Sequence, residues 1–282
     1  MTVCVLPNPR KVNGQVIACE AARLLTQHGA RVVSVLREPG VNLVPGSEPL
    51  PLEEAFSQAD VLLTVGGDGT ILHAAKESLT FEKPILGINL GRTGFLATCE
   101  PEEMPHKLAA LVRGEYSLDS RLMLEAEGVG PDGPWKQTAL NDVVIYRVDP
   151  LHTIDCSVWC DNILVNHCRG DGVIVASPTG STAYSMSAGG PILDAEVEGI
   201  VVTPICAHSL RTPPMVFSAQ RTITLQVVSQ GQEACVTSDG SYQIELKPGS
   251  QVKIHKSRQR MQLVTFNQAD QFHAIDRKLK GR

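Results

Sequence analysis

The sequence predicts two domains of different class: an α/β domain of parallel strands, then an all-β domain built in layers. Three observations carry this. Apolar strand-like runs alternate with helical spacing up to about residue 118. Beyond that point strand-like runs recur about every ten residues, with hardly a helical pattern between them. The composition is that of a globular chain: 282 residues, 43% hydrophobic and 20% charged, with a mean hydropathy of −0.01. That length suits one large or two modest domains and allows a sizeable core.

In the first domain, residues 1–118, a short apolar strand covers 3–6. Helical spacing follows over 15–27 through Val16, Ala18, Ala21, Leu24 and Leu25, and His28-Gly29 closes it. Residues 32–36 read as the second strand and 61–65 as the third, with 38–52, rich in Pro and Gly, as a loop between them. A helix over 71–79, a strand over 84–88 and a helix over 101–113, ended by Gly114, follow. Strands separated by helices imply a parallel, Rossmann-like sheet covered on both faces.

The second domain, residues 119–266, holds strand-like runs at 122–126, 139–147, 153–159, 163–166 and 173–176. Further runs lie at 222–228, 234–237, 242–246, 251–254 and 261–264. Only 180–188, small residues bounded by glycines, reads as helical. This is the pattern of a β-rich, sandwich-like domain. The tail, about 267–282, is expected to pack back on the α/β domain.

Charge and apolar runs exclude several classes. Lys plus Arg number 25 against 30 Asp plus Glu, a net charge of −5. The only basic block is the terminal RKLKGR, so no nucleic-acid partner is indicated. No apolar run reaches the ~18 residues of a membrane span. MTVCVLPNPRK lacks the basic-then-apolar order of a signal peptide, so the chain is expected to be cytoplasmic, with no membrane partner. Eight cysteines, at 4, 19, 99, 156, 160, 168, 206 and 235, form no CxxC pair and read as reduced and buried. Cys156, Cys160, Cys168 and His167 raise the question of zinc, but their spacing fits no ligand template; alternation along strands accounts for them, and no metal ligand is assigned.

Four stretches carry chemistry. VGGDGT, residues 65–70, ends an apolar run in glycines that allow phosphate to approach the backbone at a helix start. It is neither GxxxxGK[ST] nor GxGxxG. A carboxylate there, Asp68, suits a base for an attacking hydroxyl or a holder of Mg²⁺. The alternative is a turn with Asp68 as helix N-cap. Arg169–Asp194 is dense in short hydroxyls and glycines, which suits sugar hydroxyls or phosphates, or the capping of helices. In ALNDVVIYR, 139–147, Asn141-Asp142 interrupts a strand; the pair suits a ribose diol, or marks a bulge. In INLGRTGFLAT, 88–98, Phe95 after two glycines stacks on a ring or fills a core between the domains.

Together these stretches resemble the NAD kinase family. The matching pieces are PNPRK, GGDGT at 66–70, NLGRTGFLA at 89–97, ALNDVVIYR at 139–147 and GDGVIVASPTGSTAYSMSAGGPI, in the family's order over about residues 3–270. GGDGT alone also occurs in diacylglycerol-type lipid kinases; the TGSTAY and LND segments make the match specific. The resemblance implies ATP + NAD⁺ → ADP + NADP⁺, with phosphate placed on the adenosine-ribose 2′-OH. It implies Mg²⁺ with ATP, NAD⁺ and ATP as substrates, and a homodimer or homotetramer.

Carried onto this sequence, the resemblance makes Asp68 the base, with Gly69 lining the same spot and Gly66, Gly67, Gly69 and Thr70 meeting the ATP phosphates. Asn141 and Asp142 bind ribose; many members carry Glu at the second position, and Asp is one methylene shorter. Thr179, Thr182, Ala183, Tyr184, Ser185, Met186 and Ser187 line the adenine and ribose, with Arg169 and Asp171 nearby and Phe95 at the adenine. His73, His152 and Asp239 fall where the family contacts ligand or its edge. Two other readings remain at this point. A GGDGT-type lipid kinase would want an apolar entry or a membrane-facing basic patch, and neither is visible. A non-catalytic dinucleotide sensor would not need Asp68.

Overall fold

The computed structural model describes residues 1–36, 44–91, 94–209, 212–228, 233–267 and 275–276. The chain divides into two units, Met1–Ser120 with Met261–Arg282, and Arg121–Arg260.

The first unit is α/β. Its elements are β1 (Thr2–Pro7), α1 (Gly14–Gln27), β2 (Arg31–Val35), β3 (Glu48–Leu50), α2 (Leu52–Gln58), β4 (Val61–Gly66), α3 (Asp68–Ser78), β5 (Ile85–Asn89) and α4 (Met104–Arg113). The strands pair in the order β3-β2-β1-β4-β5, all parallel. Leu263, near the end of the last strand, pairs in parallel with Ile85 of β5. Every residue of β4 is buried, as a strand covered on both faces requires. Val3, Val5, Leu63 and Val65 pack with Leu25 of α1 and Leu108 of α4 in one core. On the opposite face α3 comes so close that a Cβ on Gly87 would lie 2.5 Å from Ile71 Cδ1. The strand order reverses direction between β1 and β4, and ligands of open α/β sheets bind outside the carboxyl ends of strands at such a point.

Two elements of this unit are invisible in the sequence pattern. β3 lies within the stretch 38–52 that reads as a loop, because Glu48-Pro49-Leu50 is a three-residue edge strand containing proline. The loop's residues 38–43 fall outside the described residues. α2 buries only Ala55 and Phe56, too few to mark a helical period.

The second unit is β-rich. Its strands are β6 (Ser117–Gly130, entering this unit at Arg121), β7 (Gly133–Ala139), β8 (Asp142–Arg147), β9 (Ile154–Cys160), β10 (Ile163–Gly170) and β11 (Gly172–Ala176). After the short α5 (Tyr184–Ser187) come β12 (Gly199–Ile205), β13 (Met215–Ser218), β14 (Ile223–Val227), β15 (Ala234–Ser238), β16 (Ser241–Leu246) and β17 (Gln251–Thr265). One antiparallel sheet runs β10-β9-β14-β17 and includes the β6–β7 hairpin; the other runs β13-β12-β11-β8-β15-β16. Val143, Ile145, Val173 and Val175 of the second sheet share a core with Ile154, Val158, Leu225 and Ile254 of the first. Inward alternation, as in β14, is what such a sandwich needs.

The expected α/β plus β-rich class holds, with changes of detail. β12 and β13 occupy a stretch without a predicted element, and β7, with Pro134, Lys136 and Gln137, alternates too weakly to be read. The run 139–147 is two strands, broken at Leu140-Asn141. The helix expected over 180–188 is a 3-10 turn, Gly180–Thr182, then α5, separated by Ala183 at φ −96°, ψ −125°. The tail residues 268–274 and 277–282 lie outside the described residues. Among the described residues no helix is long and apolar enough to cross a membrane.

Candidate active site

In the first unit the chemistry gathers at the carboxyl ends of β1 and β4. Gly67, extended at φ −124°, takes the cap position of α3, and Asp68 is the first helical residue. The N-cap reading of Asp68 therefore does not hold. Its carboxylate turns instead to the segment after β5: Oδ2 accepts the Phe95 N–H at 2.9 Å and Oδ1 the Leu96 N–H at 3.2 Å. A carboxylate oxygen has two acceptor sites, so each keeps one for a ligand. Gly94 makes the approach possible, since a Cβ there would lie 2.3 Å from Asp68 Oδ1. Cβ atoms on Gly67 or Gly69 would meet nothing within 4 Å, so both glycines border open space.

Thr70 is tied in from a second loop. Its Oγ1 accepts Asn8 Nδ2 at 3.0 Å and the Gly67 N–H at 3.4 Å. The Asn8 N–H in turn donates to Val65 O at 2.9 Å, and Asn8 Oδ1 accepts the Arg10 N–H at 3.0 Å. Sequence reasoning gave Asn8 no role; an asparagine between two prolines at a strand end was the available signal. His73 stands exposed on α3, its Nε2 3.3 Å from Glu77 one turn along. Phe95 is half-buried.

In the second unit three distant segments meet. Between β7 and β8, the N–H groups of Leu140, Asn141 and Asp142 all donate to Asp239, at 2.8, 2.8 and 3.1 Å. Ser177 N–H donates to Asn141 O at 2.8 Å and its hydroxyl to Leu140 O. Gly180 is pressed against the same peptide: a Cβ would lie 2.0 Å from Asn141 O. Asp142 is buried at 6% exposure, and burial, then the nearby Asp239, push its carboxyl up to about 7.

The hydroxyl-rich segment divides by direction. Thr182 Oγ1 donates to Thr179 O, Ser185 pairs with Thr203 at 2.8 Å, and Thr179 accepts from the buried Arg121. Thr182 ties its own loop, as Ser and Thr do at turns, while Thr179 and Ser185 tie the loop to β6 and β12. Tyr184 and Ser187 are exposed, while Ala183 and Met186 are half-buried. Burial, then Cys206, Asp171 and Asp142, raise the Tyr184 hydroxyl above its ordinary value, so it stays a donor. Asp171 pairs with Arg147 at 2.7 Å, and Arg169 Nε donates to Thr153. His152 lies on an exposed loop, 2.5 Å from Asp149.

Cys156 and Cys168 face each other across β9 and β10 inside the core, and burial pushes their thiols up to about 12 and about 11. His167 points the other way, toward Ser157 and Asp155. Among the described residues no three His, Cys, Asp or Glu side chains converge on a metal position. None of the eight cysteines forms a disulfide, but Cys206 is exposed and Cys19 half-buried, contrary to the expectation of burial. Both stand where an element meets solvent, Cys206 just past the end of β12 and Cys19 at the edge of α1's buried stripe.

Comparison with known proteins agrees with this arrangement. Residues 47–116 match the ATP-NAD kinase N-terminal domain and residues 140–266 the ATP-NAD kinase C-terminal domain. The NAD kinase of Lachnoclostridium phytofermentans is 40% identical over 221 residues, 76% of this chain and 77% of its own. That of Methanothermobacter thermautotrophicus is 36% identical over 258 residues, 88% of this chain and 89% of its own. The crystal structure of an NAD kinase from Archaeoglobus fulgidus in complex with ATP matches with a TM-score of 0.79 at 27% identity, covering 100% of each chain.

Proposed function

The chain belongs to the ATP-NAD kinase family, and on that premise we propose which of its residues carry the reaction. The reaction is ATP + NAD⁺ → ADP + NADP⁺, a phosphoryl transfer to the 2′-hydroxyl of the adenosine ribose. The comparisons lend no support to a lipid kinase or a dinucleotide sensor.

Asp68 is the general base. The observation that carries this is its carboxylate, oriented by two backbone N–H groups among glycines that border open space. A ribose hydroxyl is a weak nucleophile at neutral pH, and a positioned carboxylate contributes roughly 10²–10⁴-fold. The 2′-O–H bond breaks, its proton goes to Asp68, and the oxygen forms the new bond to the γ-phosphorus. The bond from that phosphorus to the β,γ-bridging oxygen breaks, and ADP leaves with the electron pair. Gly66, Gly67, Gly69 and Thr70 approach the donor phosphates; the open space beside Gly67 and Gly69 supports this, while Gly66 leaves room for the Thr70 side chain. Mg²⁺ bound with ATP would neutralise phosphate charge, held by the phosphate oxygens and one or two protein carboxylates.

Asn141 and Asp142 hold ribose hydroxyls. Tyr184 and Ser187 are the exposed members of their segment that meet the ligand, while Thr179, Thr182 and Ser185 shape the loop from behind. Ala183, Met186 and Phe95 supply apolar contact, with Arg169, Asp171, His73 and His152 at the margin. The enzyme works in the cytoplasm as a homodimer or homotetramer, which sedimentation will test. Incubation with ATP, Mg²⁺ and NAD⁺, followed by assay for NADP⁺, tests the whole reading. Bound but unconverted NAD⁺ would favour the sensor; untouched NAD⁺ with a phosphorylated diacylglycerol would favour the lipid kinase.

A further inference from the structure

We infer that Asp239 is a positioning residue for Asn141-Asp142, acting through their backbone rather than on the ligand; the inference rests on the ribose-binding reading of that pair. Asp239 sits at the tip of the hairpin joining β15 and β16. Asp239 and Gly240 both have left-handed backbones, at φ 51° and φ 66°. Two such residues make the tight turn that suits a two-residue hairpin. For a residue other than glycine this conformation is unfavourable and persists where surrounding contacts hold it.

Four hydrogen bonds tie Asp239 to one distant peptide segment. Oδ1 accepts Asn141 N–H at 2.8 Å and Asp142 N–H at 3.1 Å, while Oδ2 accepts Leu140 N–H at 2.8 Å. Asp239 N–H donates back to Asp142 O at 2.9 Å. Three successive N–H groups lie where β7 has ended and β8 is beginning, and a carboxylate is the side chain able to accept all three. Hydrogen bonds to an ionised acceptor are about twice as strong as neutral ones. On the other side, Ser177 N–H donates to Asn141 O at 2.8 Å, and glycine at 180 lets that oxygen approach, since a Cβ there would lie 2.0 Å from it.

The Asn141 peptide is thus held at both its N–H and its carbonyl. Among the described residues the Asn141 side chain itself makes no hydrogen bond. Backbone held and side chain uncommitted is the arrangement a preorganised ligand contact needs. Asp239 Oδ1 already accepts two N–H groups, its full capacity, and Oδ2 a third, which argues for a place behind the ligand rather than beside it.

Two measurements on the full chain test this. In ligand-free protein, Asp239→Asn should speed hydrogen exchange at the 140–142 amides at least tenfold, with the β11 and β12 amides unchanged. NAD⁺ titration should show a dissociation constant raised at least tenfold, with that for ATP within twofold. Asp239→Gly, which relieves the left-handed strain while removing the carboxylate, should show the same losses and guards against a variant that does not fold. In a background where Asn141→Ala and Asp142→Ala are combined, Asp239→Asn should weaken NAD⁺ binding by less than twofold more. Unchanged exchange, unchanged NAD⁺ affinity despite faster exchange, or fully additive losses in that combined variant would each overturn the assignment. If the unaltered chain forms no NADP⁺, the functional reading fails, while the exchange result still decides whether Asp239 holds the turn.

Discussion

The carboxylate of Asp68 is held by the backbone N–H of Phe95, 2.9 Å from Oδ2, and Leu96 adds a second N–H to Oδ1. Asp68→Asn keeps the shape but cannot take a proton, and its amide presents a donor to one of those N–H groups. kcat for NADP⁺ formation should fall by about 10²–10⁴-fold, with the KM for NAD⁺ changed little. Near-normal kcat would remove Asp68 as the base while leaving the kinase reading in place.

Gly94 gives that carboxylate its room. A methyl group at Gly94 would lie 2.3 Å from Asp68 Oδ1, the movable end of a side chain rather than backbone. Gly94→Ala should therefore disturb catalysis more than folding. Misplacement of about 1 Å at a reacting group costs on the order of 10²-fold, so steady-state kinetics should show kcat at least tenfold lower. A large loss of thermal stability with kcat intact would contradict this.

Asn8 links the loop after β1 to Thr70 through a 3.0 Å side-chain bond. Asn8→Ala should cost about 1 kcal/mol of stability, the net worth of one hydrogen bond. The KM for ATP should rise more than the KM for NAD⁺, because Thr70 belongs to the proposed phosphate loop. Equal changes in both constants, or a change confined to NAD⁺, would refute that link.

Asp142 makes stability depend on pH. Its carboxyl is raised from 3.8 to about 7, so the folded chain holds this proton more tightly than the unfolded one. The stability it contributes is full below about pH 4 and is lost as pH rises through about 7. Denaturant unfolding at about pH 5 and about pH 8 should show the wild type losing stability relative to Asp142→Asn, which cannot titrate. A difference between the two proteins that does not change with pH would show that the raised value is absent.

The α/β half was legible because its strands are buried runs and its helices carry apolar stripes, as β4 and α1 show. β3 and β7 were not, since an edge strand with proline or mixed polar residues has no period to read. At the site, GGDGT and the Asn-Asp pair stood out as residues poorly suited to the strands around them. Asn8 and Gly94 were visible only as members of PNPRK and NLGRTGFLA, and Arg121 not at all, because each matters through a partner far away in sequence.

The sequence alone determined the two-domain class, the family resemblance and the candidate site residues, because side-chain periodicity and motif order are local properties of the chain. Tertiary structure alone decided which groups are committed to the fold and which stay open to a ligand. It turned Asp68 from a possible helix cap into a carboxylate held by Phe95 and Leu96, and bound both oxygens of Asp239 to the 140–142 turn. It set the hydroxyls of Thr182 and Ser185 inward and left Tyr184 and Ser187 outward. The reason is physical: hydrogen-bond partners and burial depend on contacts between residues separated by tens of positions, which no local pattern specifies.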